Sequence, residues 1–181
     1  QVSVTPLSLA VMMATVANGG KRVAPHLLKA VNDGSGWKTI ESPPPSSVEE
    51  FDPGTIETIK RGLWMVVNRE GTGRRGRILG RDVIGKTGTA QVISTEGKLA
   101  AGDTDKDLRD HGWFVFAAPL SDPEIAGVVF TEHSEHGYLA APIARHIMET
   151  YFAKQEGRRL PTLPLPSKQP SAVTVITAND Q

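Results

Sequence analysis

The chain reads as an α+β fold, a helical layer against an antiparallel sheet, and three observations predict it. Helical spacing of apolar residues follows two capped starts, Thr5-Pro6 and Asp52-Pro53, and returns after Pro142. Short β-branched or aromatic runs fill 83–93, 112–118 and 125–130. The last two runs are separated only by the proline turn 119–123, which makes them an antiparallel hairpin. The expected order is helix, small hairpin, helix, three strands, helix.

Thr5 supplies a hydroxyl N-cap and Pro6 a fixed φ for the first helical turn. Leu7, Ala10, Val11 and Ala14 recur at helical spacing, and Met12, Met13 and Val16 widen the apolar surface, which predicts burial on several sides. Asn18-Gly19-Gly20 ends the helix. Val23-Ala24-Pro25 is extended. Leu27 to Val31 and Trp37 to Ile40 are expected as short strands around the turn 32–36, and 42–47, with three successive prolines, as a surface connection.

Asp52-Pro53 opens the second helix, with Phe51 and Ile56 at the positions of a hydrophobic staple. Ile56, Ile59, Leu63 and Val66 are its predicted inner face, and it runs out near Asn68. Gly71 to Gly76 reads as a mobile loop, and 94–110 as a long exposed one. Gly112 to Ala118 is apolar enough for a strand covered on both faces. The last helix carries two stripes, Ile143, Ile147 and Tyr151 beside Ala144, Met148 and Phe152.

With 181 residues, 39% hydrophobic and 22% charged, the chain is long enough for one domain with a core. Its 20 basic and 20 acidic residues cancel, which argues against a general nucleic-acid binder. Having no cysteine, it has no disulfide or thiol chemistry. No apolar run approaches the ~20 residues of a membrane span, and no signal peptide precedes Gln1. The first residues already lead into a helix, so the sequence is expected to begin inside something larger.

The chemistry concentrates at Lys86-Thr87-Gly88-Thr89, between Val83-Ile84 and Gln91-Val92-Ile93. On a strand, Thr87 and Thr89 share one face and Lys86 points to the other. Gly88 leaves the strand bare at one point, so another backbone can come close. Such an edge suits an extended peptide ending in a carboxylate. The peptide adds as an extra strand, and the hydroxyls and the ammonium bind its terminal charge.

Lys-Thr-Gly-Thr on a strand resembles the third active-site motif of penicillin-binding proteins and serine β-lactamases. Thr5-Pro6-Leu7-Ser8-Leu9-Ala10, Ala17-Asn18-Gly19-Gly20, Asp110-His111-Gly112-Trp113-Phe114 and Ala140-Ala141-Pro142-Ile143-Ala144-Arg145 follow in the order seen in class B penicillin-binding proteins, and they look most like the elongation type. The resemblance implies the closing half of the penicillin-recognising serine transpeptidase or β-lactamase-like fold. Residues 1–155 are then the C-terminal portion of the transpeptidase domain. Residues 156–181, with prolines at 161, 164, 166 and 170, are expected as a disordered tail.

By the same resemblance, Lys86 sits in the catalytic pocket and helps orient proton transfer, and Lys86, Thr87, Gly88 and Thr89 bind substrate. The backbone N–H of Thr89 is one oxyanion-hole donor. Asp110-His111 is either an active-site support or a hydrogen-bonded strand cap. The implied activity is peptidoglycan D,D-transpeptidation on stem peptides ending D-Ala-D-Ala, with β-lactam antibiotics acylating the same serine. The implied setting is the periplasmic face of a bacterial inner membrane, with an N-terminal anchor and a membrane glycosyltransferase of the elongation machinery as partner. No cofactor is implied. Two rivals stay open: a β-lactamase or D,D-carboxypeptidase of the same fold, and a non-catalytic β-lactam sensor or scaffold.

The family's nucleophile motif is not found. Ser35-Gly36-Trp37-Lys38 has the Ser-x-x-Lys spacing, but its glycines place it in a turn, and there is no Ser-x-Asn. The chain alone is therefore expected to be inactive. Gly71-x-Gly73-x-x-Gly76 follows a helix and leads to a strand, the reverse of a dinucleotide fingerprint. Arg69, Arg74, Arg75, Arg77 and Arg81 read as a solvated basic stretch, with steering of an anionic peptidoglycan strand as the alternative. His133-Ser134-Glu135-His136 and Asp103 to Asp107 lack the further ligands of a metal site. Trp64, Trp113, Phe114 and Phe116 are expected in the core, with Trp113 also able to line a cleft wall.

Overall fold

The structure, a computed structural model, describes residues 3–92 and 108–162. Three helices and a three-stranded sheet carry the chemistry. α1 spans Pro6–Ala17, α2 Pro53–Asn68 and α3 Ala141–Gln155. Strands β5 (Ile84–Ala90), β6 (His111–Ala118) and β7 (Ile125–Thr131) form an antiparallel sheet in that order. Two smaller pairs lie outside it: β1 (Lys21–Arg22) with β4 (Ser47–Val48), and β2 (Ala30–Asn32) with β3 (Trp37–Thr39).

Both helix starts form where the caps place them. Thr5 Oγ1 accepts from the Ser8 amide at 3.1 Å, and Asp52 Oδ2 from the Thr55 amide at 2.8 Å. Each cap satisfies an amide that the helix itself leaves unpaired. Asn18 ends α1, and Gly19 and Gly20 take positive φ beyond it.

The sheet has a core on each face. On one, Phe114, Phe116 and Ala118 meet Val67 and Val83 together with Ala140, Ala141, Ala144, Met148 and Phe152 of α3 and the turn before it. On the other, Ile84 and Ala117 pack with Met13 and Ala17 of α1, flanked by Leu63 and Trp64. β6 is thus covered on both sides, as its composition predicts.

Several expectations need correction. The inner face of α2 is Ile56, Lys60, Leu63, Trp64 and Val67, while Ile59 is 43% exposed. Lys60 buries its stem and keeps its ammonium near Glu57, 3.7 Å away, as an amphipathic side chain can. In α3 the stripe Ala144, Met148 and Phe152 is buried, with Ala141 and Ala153, while of the other stripe Ile143 and Ile147 are exposed and only Tyr151 packs against the core. Alanines at 140, 141 and 144 let the helix axis approach the sheet closely, which fixes the face. α1 is buried on the sheet side only, with Leu7 and Met12 exposed.

Leu27 and Leu28 do not join the small hairpin, whose strand starts at Ala30, with the Lys29 carbonyl accepting from the Ile40 amide at 2.9 Å. Ser47 does not end a plain surface connection but pairs with Arg22. β5 stops at Ala90, short of the extended run expected to continue to Ile93, and Ile93 lies outside the described residues. So do most of the 94–110 loop with its Asp103 to Asp107 run, and most of the C-terminal tail.

Ser35 lies on the β2–β3 turn and Lys38 in β3, and both bind Asp33. Ser35 Oγ donates to Oδ1 at 2.6 Å and Lys38 Nζ to Oδ2 at 2.5 Å. The Lys38 ammonium, followed by the Ser35 hydroxyl and amide, lowers the Asp33 pKa from 3.8 to about 2. Because the folded value lies below the unfolded one, the contribution to stability is present above the unfolded pKa and is lost as pH falls through about 2. An NMR titration of Asp33 is expected to show its midpoint near 2 in the wild type and closer to the ordinary value in Lys38→Met. An unchanged midpoint in the variant would contradict this pairing.

Candidate functional site: the Lys86–Thr89 strand edge

β5 pairs only with β6 among the described residues, so its other edge is open. The register sets Lys86 opposite Val115, Thr87 opposite Phe114, Gly88 opposite Trp113 and Thr89 opposite Gly112. Lys86 and Gly88 therefore share the α1 face with Trp113 and Val115. Thr87 and Thr89 share the α3 face.

Three contacts hold the strand. Asn68 at the end of α2 donates its amide to the Val83 carbonyl at 2.7 Å, and Trp64 donates its indole N–H to Asp82 at 2.8 Å. These fix the entry into β5, where Val83 and Ile84 are fully buried. The third contact is Gly137, in a 3₁₀ turn (Gly137–Leu139) before α3. A β-carbon there would overlap the Gly88 carbonyl oxygen and come within 2.9 Å of the Gly88 nitrogen. Gly137 is the position that has to be bare, since a β-carbon at Gly88 would meet only Trp113 Cβ at 3.4 Å, and the Gly137 amide donates to Thr89 Oγ1 at 3.4 Å.

On the α1 face a groove of about 460 Å³ opens beside the strand. Val4, Leu9, Met12, Trp113 and Val115 give it apolar walls, and Lys86 through Ala90 form its edge. Trp113 is therefore a groove wall as well as a sheet residue. The exposed Lys86 ammonium donates to the Thr87 carbonyl at 2.8 Å.

On the α3 face, Thr87 Oγ1 lies 2.6 Å from Thr72 Oγ1. Thr72 was not among the expected site residues. The signal for it was the glycine spacing of its loop. A β-carbon at Gly71 would overlap the Val66 main chain, one at Gly73 would lie 3.0 Å from Phe114 and Val66, and one at Gly76 would lie 2.9 Å from Phe114. The glycines seat this loop against the core, so it is packed rather than mobile. The basic stretch is likewise only partly solvated. Arg69 lies over Trp64, Arg75 over Tyr138 and Arg81 over Phe152, and Arg81 also pairs with Glu156.

Asp110-His111 lies at the far end of the sheet from Lys86. His111 is opposite Ala90, four residues from Val115. That separation is about 13 Å along the strand. His111 Nδ1 accepts from the His133 amide at 3.0 Å, its ring meets Phe130 and His133 edge-on, and the Asp110 carbonyl accepts from the Glu135 amide at 2.8 Å. These bonds tie the start of β6 to the turn after β7. Ser134, in the same turn, bonds Thr131, and no group of three metal-ligating side chains occurs among the described residues.

Residues 2–149 match the family described as penicillin binding protein transpeptidase domain. The chain is 36% identical over 165 residues to peptidoglycan D,D-transpeptidase MrdA of Haemophilus influenzae, covering 87% of this chain and 24% of that protein. It is 37% identical over 152 residues to MrdA of Acinetobacter baumannii, covering 82% and 22%. It thus spans about a quarter of the length of these curated relatives. Among solved structures, Pseudomonas aeruginosa PBP2 in complex with WCK 5153 aligns with TM-score 0.64 at 31% identity, over 86% of this chain and 32% of that one. The imipenem acyl-enzyme complex of penicillin-binding protein A from M. tuberculosis aligns with TM-score 0.63 at 26% identity, over 84% and 32%.

Gly137→Ala tests the strand's seating. The added methyl meets backbone, which cannot rotate away, so a loss of about 1–3 kcal/mol or more is expected. Chemical denaturation measures it, and wild-type stability would mean that the turn does not rest on Gly88.

Proposed function

This chain belongs to the penicillin-binding protein transpeptidase family, and on that premise we propose that the whole protein is a peptidoglycan D,D-transpeptidase of the elongation type. The observation that carries the proposal is the open edge of β5, with Lys86, Thr87 and Thr89 beside a groove. The names of the Haemophilus and Acinetobacter relatives support the reaction and the type.

In this reading a serine outside residues 1–181 attacks the penultimate D-Ala carbonyl of a stem peptide. The C–N bond breaks, D-Ala leaves with a proton on its amine, and an acyl-serine remains. An amine from a neighbouring stem then attacks the ester, forms the cross-link and returns the serine. Lys86 raises the positive potential where the serine loses its proton. The Thr87 and Thr89 hydroxyls donate to the terminal carboxylate of the peptide, which lies along β5 as an added strand. The Thr89 N–H and the nucleophile's own N–H receive the oxyanion. Asp110 and His111 support the site indirectly, by holding the far end of β6. Each step is acid–base and acyl chemistry, which requires no cofactor.

A β-lactam presents a carboxylate and a strained acyl group in the same relation, so it acylates the same serine. The substrate and the proposed partner, a membrane glycosyltransferase of the elongation machinery, place the domain on the periplasmic side of an inner membrane. The anchor would lie outside this segment, since no helix among the described residues is long and apolar enough to cross a membrane. Within the family, residues 1–155 form the C-terminal portion of the catalytic domain and 156–181 a tail.

Labelled penicillin followed by mass spectrometry tests the proposal. One serine adduct outside residues 1–181 is expected in the full-length protein, and none on this chain alone. Lys86→Ala is expected to slow acylation roughly 100-fold or more. An adduct on a serine of this segment, or a wild-type rate in the variant, would overturn the assignment.

A further inference from the structure

We propose that the cleft bounded by Gly71, Thr72, Arg74, Arg75 and Tyr138 is a second carboxylate subsite, beside the edge that takes the peptide's terminal carboxylate. It rests on the transpeptidase reading and names a further substrate contact. The cleft measures about 460 Å³.

Its floor is preorganised. The glycines at 71, 73 and 76 fit the loop onto Val66 and Phe114 with no room for a side chain. Phe114 is the strand residue directly opposite Thr87, so the cleft and the substrate edge are built on one ring. A site already rigid gives up little freedom when a ligand enters.

Its charge is available. Neither Arg74 nor Arg75 has a carboxylate within 4.0 Å among the described residues, whereas Arg81 a few residues on is paired with Glu156. The Arg75 guanidinium lies 4.9 Å from the centre of the Tyr138 ring. That cation–π contact restrains the guanidinium, and its N–H groups can grip a carboxylate with two bonds. Tyr138 is itself positioned by Gly137, which rests on Gly88.

Thr72 joins the cleft to the edge. In the hydroxyl pair with Thr87 only one proton lies between the two oxygens, so the other is left to donate outward. With Thr87 donating to the carboxylate on the strand edge, Thr72 donates to Thr87 and orients it, and the donors for a carboxylate in the cleft are the guanidinium groups of Arg74 and Arg75. The strand's own residues account for the terminal carboxylate, so the ligand for Arg74 and Arg75 is another carboxylate. It belongs either to the acyl-donor peptide or to the peptide that brings the amine.

The test uses the full-length transpeptidase and reads a ratio, so that a general loss of activity cancels. In the first arm, peptides ending D-Ala-D-Ala, with one further carboxylate free or amidated, compete against labelled penicillin. In the second arm, amine acceptors with a free or amidated carboxylate compete with water for the acyl-enzyme. The wild type is expected to prefer the free-carboxylate form about tenfold in one arm, the arm naming the source. The preference is expected to fall below about twofold in Arg74→Gln/Arg75→Gln and to survive in part in Arg75→Lys, which keeps the charge but not the fork. No preference in either arm, or a preference that persists in the double variant, would overturn the subsite. Failure of the wild type to be acylated by penicillin would instead overturn the transpeptidase reading, and the subsite with it.

Discussion

A β-strand with one side unpaired has to be held firmly by everything else that touches it, and this is the constraint the structure is built around. β5 bonds to β6 along one side, and among the described residues no strand pairs with the other. Holding power therefore comes from side-on contacts. α2 grips the entry through Asn68 and Trp64, the turn before α3 rests on Gly88, and the glycine loop brings Thr72 against Thr87. Phe114 lies beneath the whole arrangement, fully buried and in contact range of two of those glycine positions. The strand is fixed from its sides, and no other strand is paired with its free edge among the described residues.

An open edge beside an apolar groove is ordinarily a liability, because it invites another strand or another chain. Here the polar chemistry faces that opening: an exposed ammonium on one face and two hydroxyls on the other. The hydroxyls already have partners inside the protein, Thr72 for Thr87 and the Gly137 amide for Thr89. Those partners fix where the hydroxyl oxygens sit; Thr89 keeps its proton because it accepts from Gly137, and Thr87 keeps its own when Thr72 is the donor of their pair. An anion that arrives finds donors already aimed, and little of the interaction is lost to ordering them.

The sequence was most legible where the deciding interaction was local. Thr5 and Asp52 cap amides three residues away, and both helices begin where those residues put them. The β6–β7 hairpin follows from two apolar runs and a short turn, and the Lys-Thr-Gly strand from its β-branched approach. Legibility failed where burial depends on a distant partner. Ile59 is exposed and Lys60 buried because the entry to β5 selects the face of α2. α3 offers two apolar stripes, and only the alanine-rich one can come close enough to the sheet. Gly137 reaches the site across 48 residues, through Thr89, and no local pattern marks it; Thr72, 15 residues from Thr87, is marked only by the glycines around it. The glycines of 71–76 were visible but looked like looseness, when in fact they allow contact.

The central claim is that the free edge of β5 receives the acidic end of a peptide, and a crystal structure of the full-length protein acylated by a penicillin tests it most directly. The account requires the drug to lie along β5, with its carboxylate on the Thr87 and Thr89 hydroxyls and its acyl oxygen at the Thr89 N–H. A drug bound away from residues 86–89, or a β5 edge already occupied by another strand of the protein, would contradict it.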